Sequence, residues 1–219
     1  MKTLTILKQH FILHPSGAIF WRETKTWLFA DIHLGKVAHF RKHGIAVPRK
    51  AEGDFYQKST KLFALYQPER VLFLGDLFHS FKNNEWHLFE AWVKQQNAKM
   101  VLIEGNHDII PAEKFTSLGI VVRKEMTEKG FLFSHFPKEK TTGHFVFCGH
   151  LHPGVILRGI GKQVLKLPCF FQSPSQLILP AFGVFTGLHI LNPTKKNTVY
   201  VCTEKEVMEI DRQSRKNYL

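Results

Sequence analysis

Two carboxylates, one amide and four imidazoles stand just past the ends of apolar runs in this 219-residue chain: Asp31, His33, Asp76, Asn106, His135, His150 and His152. Asp31 and His33 follow Trp27-Leu28-Phe29-Ala30, and Asp76 follows Val71 to Leu74 and a glycine. Asn106 comes after Met100 to Ile103, His135 after Phe131-Leu132-Phe133, and His150 and His152 after Phe145 to Cys148. Oxygen and imidazole donors without thiolate suit manganese, iron or zinc, whereas calcium takes oxygen throughout. Seven donors are too many for one tetrahedral zinc. Divided in two with one carboxylate shared, they suit a pair of divalent transition metals about 3.5–4 Å apart, manganese first and iron or zinc as alternatives, an arrangement that cleaves phosphate esters. Asp76, alone at its strand end, is the natural bridge. His107 follows Asn106 at once, projects differently, and is free to act as a proton donor.

The elements that must position these residues are legible as short continuous apolar runs bounded by turn residues, the pattern of strands buried on both faces. Ligands at the carboxyl ends of such strands converge on one edge of a sheet. Asp31 and His33 are two apart, so on an extended backbone both side chains point the same way. Residues 5 to 30 read as β structure, with a hairpin turn at Pro15-Ser16-Gly17. Residues 51 to 66 read as a helix closed by Pro68. A second helix, capped by Asn83 or Asn84, carries Trp86, Phe89, Trp92 and Val93 as a core stripe. The β-α-β-α-β order predicts parallel central strands. Past His152 the strand-like pieces Val155 to Leu157, Val164 to Phe171, Leu177 to Leu179 and Val199 to Cys202 have no long helix between them, which predicts an antiparallel meander in a second sheet. The fold class is therefore α/β: a four-layer αββα sandwich, two mixed sheets flanked by helices. One domain over residues 1–203 and a charged tail or short helix over 204–219 complete the division.

A net charge of +12 favours a polyanionic partner, nucleic acid before a membrane surface, since no basic amphipathic helix stands out. Lys36, Arg41, Lys42, Arg49 and Lys50 crowd a polar stretch that begins two residues after His33, and Lys36 and Arg41 are candidates to hold a substrate phosphate. His39 and His43 in that stretch have no ligand spacing. No run reaches transmembrane length. Cys148, Cys169 and Cys202 are odd in number and widely spaced, which argues for reduced thiols and a cytoplasmic chain. No Gly-x-x-x-x-Gly-Lys loop is present, so phosphate is hydrolysed rather than held as a triphosphate fuel.

Asp31-x-His33, Gly75-Asp76, Gly105-Asn106-His107-Asp108, His135 and Gly149-His150-x-His152 resemble, in order, the five motif blocks of the calcineurin-like metallophosphoesterases. That resemblance implies Asp31, His33 and His152 on one metal, Asn106, His135 and His150 on a second, and Asp76 between them. It further implies His107 as the acid for the leaving oxygen, with Asp108 orienting it by hydrogen bonding. A narrower likeness rests on Asp31 to Lys36, Phe40-Arg41, Gly44 to Pro48, Gly75 to Ser80 and Pro180 to Gly187. These are similar to the PdeM family of ligase-associated DNA damage response endonucleases, with Leu188 where a second glycine is expected. It implies a DNA endonuclease acting in repair alongside a DNA ligase, a helicase and a nuclease; single-stranded or gapped DNA is the expected substrate because a shallow two-metal edge must admit a bent backbone. The alternatives are a small-molecule phosphodiesterase or phosphatase, for cyclic nucleotides or nucleotide sugars, and a non-catalytic nucleic-acid-binding scaffold.

Overall fold

The apolar runs become strands, and their pairing sorts them into two mixed sheets. The computed structural model describes residues 1–36, 53–79, 84–139, 143–159, 163–184 and 186–210. The first sheet holds β1 (Lys2–Ile6), β2 (Gln9–Leu13), β3 (Ile19–Trp21), β4 (Thr26–Phe29), β5 (Arg70–Leu74), β6 (Lys99–Ile103) and β7 (Val121–Arg123), in that spatial order. β1 to β4 pair antiparallel, and β4 to β7 are parallel, so β4, β5 and β6 all end on one edge.

The second sheet comprises β8 (Met126–Glu128), β9 (Phe131–Phe133), β10 (Phe145–Cys148), β11 (Pro153–Arg158), β12 (Val164–Gln172), β13 (Gln176–Ile178), β14 (His189–Ile190), β15 (Thr198–Cys202) and β16 (Val207–Glu209). Its order is β14-β11-β12-β13-β10-β9-β8, with β15 beside β12 and β16 beside β15. The pieces past His152 pair antiparallel as expected, β11 with β12, and β12 with both β13 and β15, within a sheet that is mixed as a whole. β10 is parallel to both β9 and β13, and β11 is parallel to β14. Parallel pairing here brings β9 and β10 to the same end, which is what delivers His135 and His150 together. The boundary placed at 203 also falls inside the sheet: β16 pairs antiparallel with β15, Val207 buried and Met208 and Glu209 exposed. Pairing with β15, not charge, decides that segment; residues 211–219 lie outside the described residues.

Two cores hold the layers. One lies between the sheets, where Phe11, Trp21, Leu28 and Leu72 meet Phe131, Phe133, Phe147 and Phe170. The other joins the first sheet to helices Asp54–Leu65, Asn84–Lys94 and Ala112–Thr116, through Trp27, Phe29, Phe73, Phe55, Phe89, Trp92 and Phe115. Among the described residues all three helices pack over the first sheet. Ten of the twelve largest fully buried side chains are Phe, which is where the aromatic content goes. Each such burial contributes about 1.5–3 kcal/mol relative to exposure. Trp86 and Trp92 belong to this core as expected, packed among Phe78, Phe89 and Phe115. The first helix starts at Asp54 and ends as Tyr66 turns extended, two residues short of Pro68. No described helix is long and apolar enough to cross a membrane.

Candidate metal centre

Strand pairing continues past the ends of β4 and β5 and fixes the first ligand turn. Asp31 N donates to Gly75 O (3.2 Å), His33 N to Asp76 O (2.9 Å) and Leu34 N to Leu77 O (2.8 Å). Asp31 and His33 are nonetheless not extended: both have φ of 52°. Their spacing of two brings them together through two left-handed residues, not through strand alternation, so the expected geometry is corrected while the convergence holds. Asp76 (φ 52°), His150 (φ 71°) and His152 (φ 48°) are left-handed as well. A non-glycine residue there costs about 1–2 kcal/mol, and five of them meeting at one edge mark a site where the surrounding structure enforces strain.

The result is two clusters. Asp31, His33 and His152 form one, and Asp76, His135 and His150 the other, each with its donor atoms within 4.8 Å of one another. Asp76 lies between them, Oδ2 3.8 Å from His33 Nε2 and Oδ1 3.5 Å from His135 Nε2. Asn106 joins the second cluster, its Oδ1 3.0 Å from His135 Nε2. All seven residues expected to ligate metal are thus brought together.

The donor set fits divalent cations. His135 Nδ1 lies 3.0 Å from Leu74 O and His152 Nδ1 3.1 Å from Thr186 O, so each ring donates that N–H to a carbonyl. The Nε2 lone pairs then face inward, where His135 Nε2 meets Asn106 Oδ1 and His150 Nδ1 (3.1 Å), and His152 Nε2 meets His33 Nε2 (3.3 Å). Second-partner carbonyls of this kind orient metal-binding imidazoles. Asp31 is fully buried; its Oδ2 accepts from His150 N (2.9 Å) while its Oδ1 has no hydrogen-bond partner. A buried carboxylate oxygen left so is costly unless a cation completes it. Burial, then the Lys36 charge and neighbouring imidazoles, pushes His33 down to about 2, keeping the ring neutral. Burial also lowers His150. For His152 burial works downward, but the adjacent Asp31 carboxylate prevails and its pKa is raised.

His107 sits at the rim, exposed, with its N donating to Asp76 Oδ1 (2.9 Å) and its ring 5.5 Å from His33 and 5.6 Å from His79. Asp108 has a different duty from the one expected. Its carboxylate accepts from the backbone N–H groups of Gly105, Asp76 and Leu77 (2.9 Å each) and Phe78 (3.3 Å), pinning two ligand turns together rather than steering the His107 ring. Asp108→Asn presents an amide to those four donors and is expected to lower stability by roughly 1–3 kcal/mol. Urea unfolding checks this. Unlike a change at His107, the substitution leaves the dependence of rate on leaving group unaltered.

Lys36 is half-buried beside the site; burial lowers its pKa, against the pull of the Asp76 and Asp31 carboxylates. Arg41 lies outside the described residues, as do His39, Lys42, His43, Arg49 and Lys50. Other contributors were given no role by the sequence, although His79, Gly183 and Thr186 fall in the stretches Gly75 to Ser80 and Pro180 to Gly187 singled out there. The Leu74 and Thr186 carbonyls are backbone groups, and the His79 ring lies 5.5 Å from that of His33 and 5.6 Å from that of His107. Gly183 closes the site from the late segment: its N donates to Asp31 O (3.1 Å), and a Cβ there would stand 2.1 Å from Ile32 O.

The family model for calcineurin-like phosphoesterases matches residues 24–153, the span that carries every ligand candidate. The chain belongs to the calcineurin-like phosphoesterases. With its two clusters of candidate metal ligands, this calcineurin-like phosphoesterase is a metal-dependent hydrolase of phosphate esters. Among solved structures it is similar to the Pseudomonas putida nuclease MPE, 29% identical, with a TM-score of 0.78 over 95% of this chain and 99% of that one. It also aligns with Yfce, a phosphoesterase from E. coli, at 12% identity and a TM-score of 0.42, over 84% of this chain and 97% of the other. AQ665 from Aquifex aeolicus, of unknown function, aligns at 20% identity and 0.40 over 57% and 77%. These last two carry no argument about activity. No curated protein sequence matches this phosphoesterase.

Proposed function

We propose that this phosphoesterase is a manganese-dependent endonuclease that cuts internal phosphodiesters of DNA, with single-stranded or gapped regions preferred. The observation that carries the reading is a likeness to a nuclease over 95% of the chain, at a TM-score of 0.78. The net charge of +12 supports a polymer, because many phosphates let distant Lys and Arg contribute through counterion release, which a small diester does not allow. A role in repair, beside a ligase, a helicase and a nuclease, rests on the PdeM-like stretches alone. The cytoplasmic location rests on three buried free cysteines.

Asp31, His33 and His152 would hold one cation, and Asn106, His135 and His150 the other, with Asp76 reaching both. Bound there, such ions supply Lewis-acid polarisation of the phosphate and an activated water near neutral pH. The chain's own groups do the remainder. Leu74 and Thr186 hold the His135 and His152 rings in the ligating tautomer. Asp76 fixes the His107 backbone, so that the imidazolium can give its proton to the departing ester oxygen. Lys36 offers a cation to a non-bridging oxygen.

Circular single-stranded DNA has no ends and tests the reading. Incubated with manganese and enzyme, it is expected to linearise and then fragment, more slowly as salt rises. An intact circle beside rapid turnover of a cyclic nucleotide or nucleotide sugar would transfer the assignment to a small-molecule phosphodiesterase.

A further inference from the structure

Phe136 is the one Phe among the exposed large hydrophobic side chains of the described residues, at 46% exposure. It follows His135 directly, and its ring centroid lies 4.7 Å from that of His135 and 4.6 Å from that of His150, at interplanar angles of 75° and 60°. Ser134 Oγ donates to Phe136 O (2.7 Å) and fixes the backbone that carries the ring. Phe136 and His135 line an open groove of about 680 Å³ with Glu104, Lys124 and Glu125. A ring placed only to keep water from the ligands would be buried. This one leaves much of its surface in solvent.

The groove's charges say which part of a substrate fits. Glu104 and Glu125 stand at its wall, with Lys138 paired to Glu125. Lys124 on the same wall and Lys138 balance the two carboxylates, so the groove has no net positive charge to draw a phosphate, whereas a neutral, flat, apolar group meets the Phe136 ring without penalty. Every nucleobase has a π face, and aromatic side chains beside a backbone-binding site hold bases by stacking, tolerant of sequence. His107 occupies the His33 flank of the centre, and Phe136 the His135–His150 flank.

We propose that Phe136 is the stacking platform for a nucleobase next to the scissile phosphate, a specificity-determining contact that selects base-bearing phosphodiesters over those without a base. The inference rests on the nuclease reading above. It places the base in the groove beside Phe136 and leaves the phosphate to the metal centre.

The experiment compares the wild type with Phe136→Ala, Phe136→Leu and Phe136→Trp on two single strands of equal length, one of ordinary deoxynucleotides and one of abasic tetrahydrofuran units. On the ordinary strand, Ala and Leu are expected to raise KM about tenfold or more, the usual consequence of losing one stacked base, and Trp to restore it. The abasic strand should respond far less to all three, and metal content should not change. Equal slowing on both strands, or metal loss in Phe136→Ala, would mean that the ring only supports its histidine neighbours. An unchanged KM on the ordinary strand would also overturn the platform. A wild type that cuts neither strand overturns the nuclease reading itself, and the platform with it; the two failures are therefore distinct.

Discussion

Asp76→Asn is expected to reduce metal content from about two ions per chain to less than one, and to abolish hydrolysis of every phosphate ester. The carboxylate stands within 3.8 Å of His33 and 3.5 Å of His135, one ring from each cluster, so its charge serves both. Removing it would also leave Asp31 as the one carboxylate among the seven candidate ligands to offset the charge of two divalent cations. The fold should survive. Asp76 follows β5 instead of filling a core, and its own N–H stays bound to Asp108 at 2.9 Å. Circular dichroism and urea unfolding should therefore be near wild type while elemental analysis shows the loss. Full activity in Asp76→Asn, or in the wild type after exhaustive chelation, would remove the shared-carboxylate account.

His107→Gln should behave differently, keeping both metals and losing turnover by roughly 10²–10⁴, the usual contribution of a general acid. The loss belongs to the step in which the leaving oxygen takes a proton. It should shrink for a p-nitrophenyl ester, whose leaving group needs none, and stay large for an alkyl ester or DNA. The geometry supports separating the two roles: only the backbone N–H of His107 touches Asp76, and the exposed ring lies beside His33 and His79. Equal losses on good and poor leaving groups would make His107 a residue that positions substrate or ligands.

Much of this centre was legible before the structure because strand ends carry their own signal. Val71 to Leu74, Met100 to Ile103 and Phe145 to Cys148 are short apolar runs closed by Gly and a donor, and each became a buried strand ending at one edge. What could not be read was backbone conformation. The side chains at 31 and 33 converge through two left-handed residues, which spacing alone does not distinguish from an extended strand. Asp108 was expected to act on a side chain and instead binds four amides, because main-chain donors are invisible in a list of residue types. The parallel pairing of β10 with β13 depends on contacts between residues about 30 apart, which no local pattern encodes. Val207 to Glu209 failed to declare itself for a related reason: a three-residue strand among charges is stabilised by its neighbour β15, not by its own propensity.

The central claim is that one carboxylate joins two cation sites. Manganese paramagnetic resonance of the metal-loaded protein tests it most directly. Two Mn²⁺ ions sharing Asp76, about 3.5–4 Å apart, should be exchange-coupled, giving a broad multiline spectrum that grows in as the second equivalent binds. In Asp76→Asn only a weaker, uncoupled signal should remain. An isolated six-line spectrum in the wild type at full loading, with saturation at one ion per chain, would contradict the account.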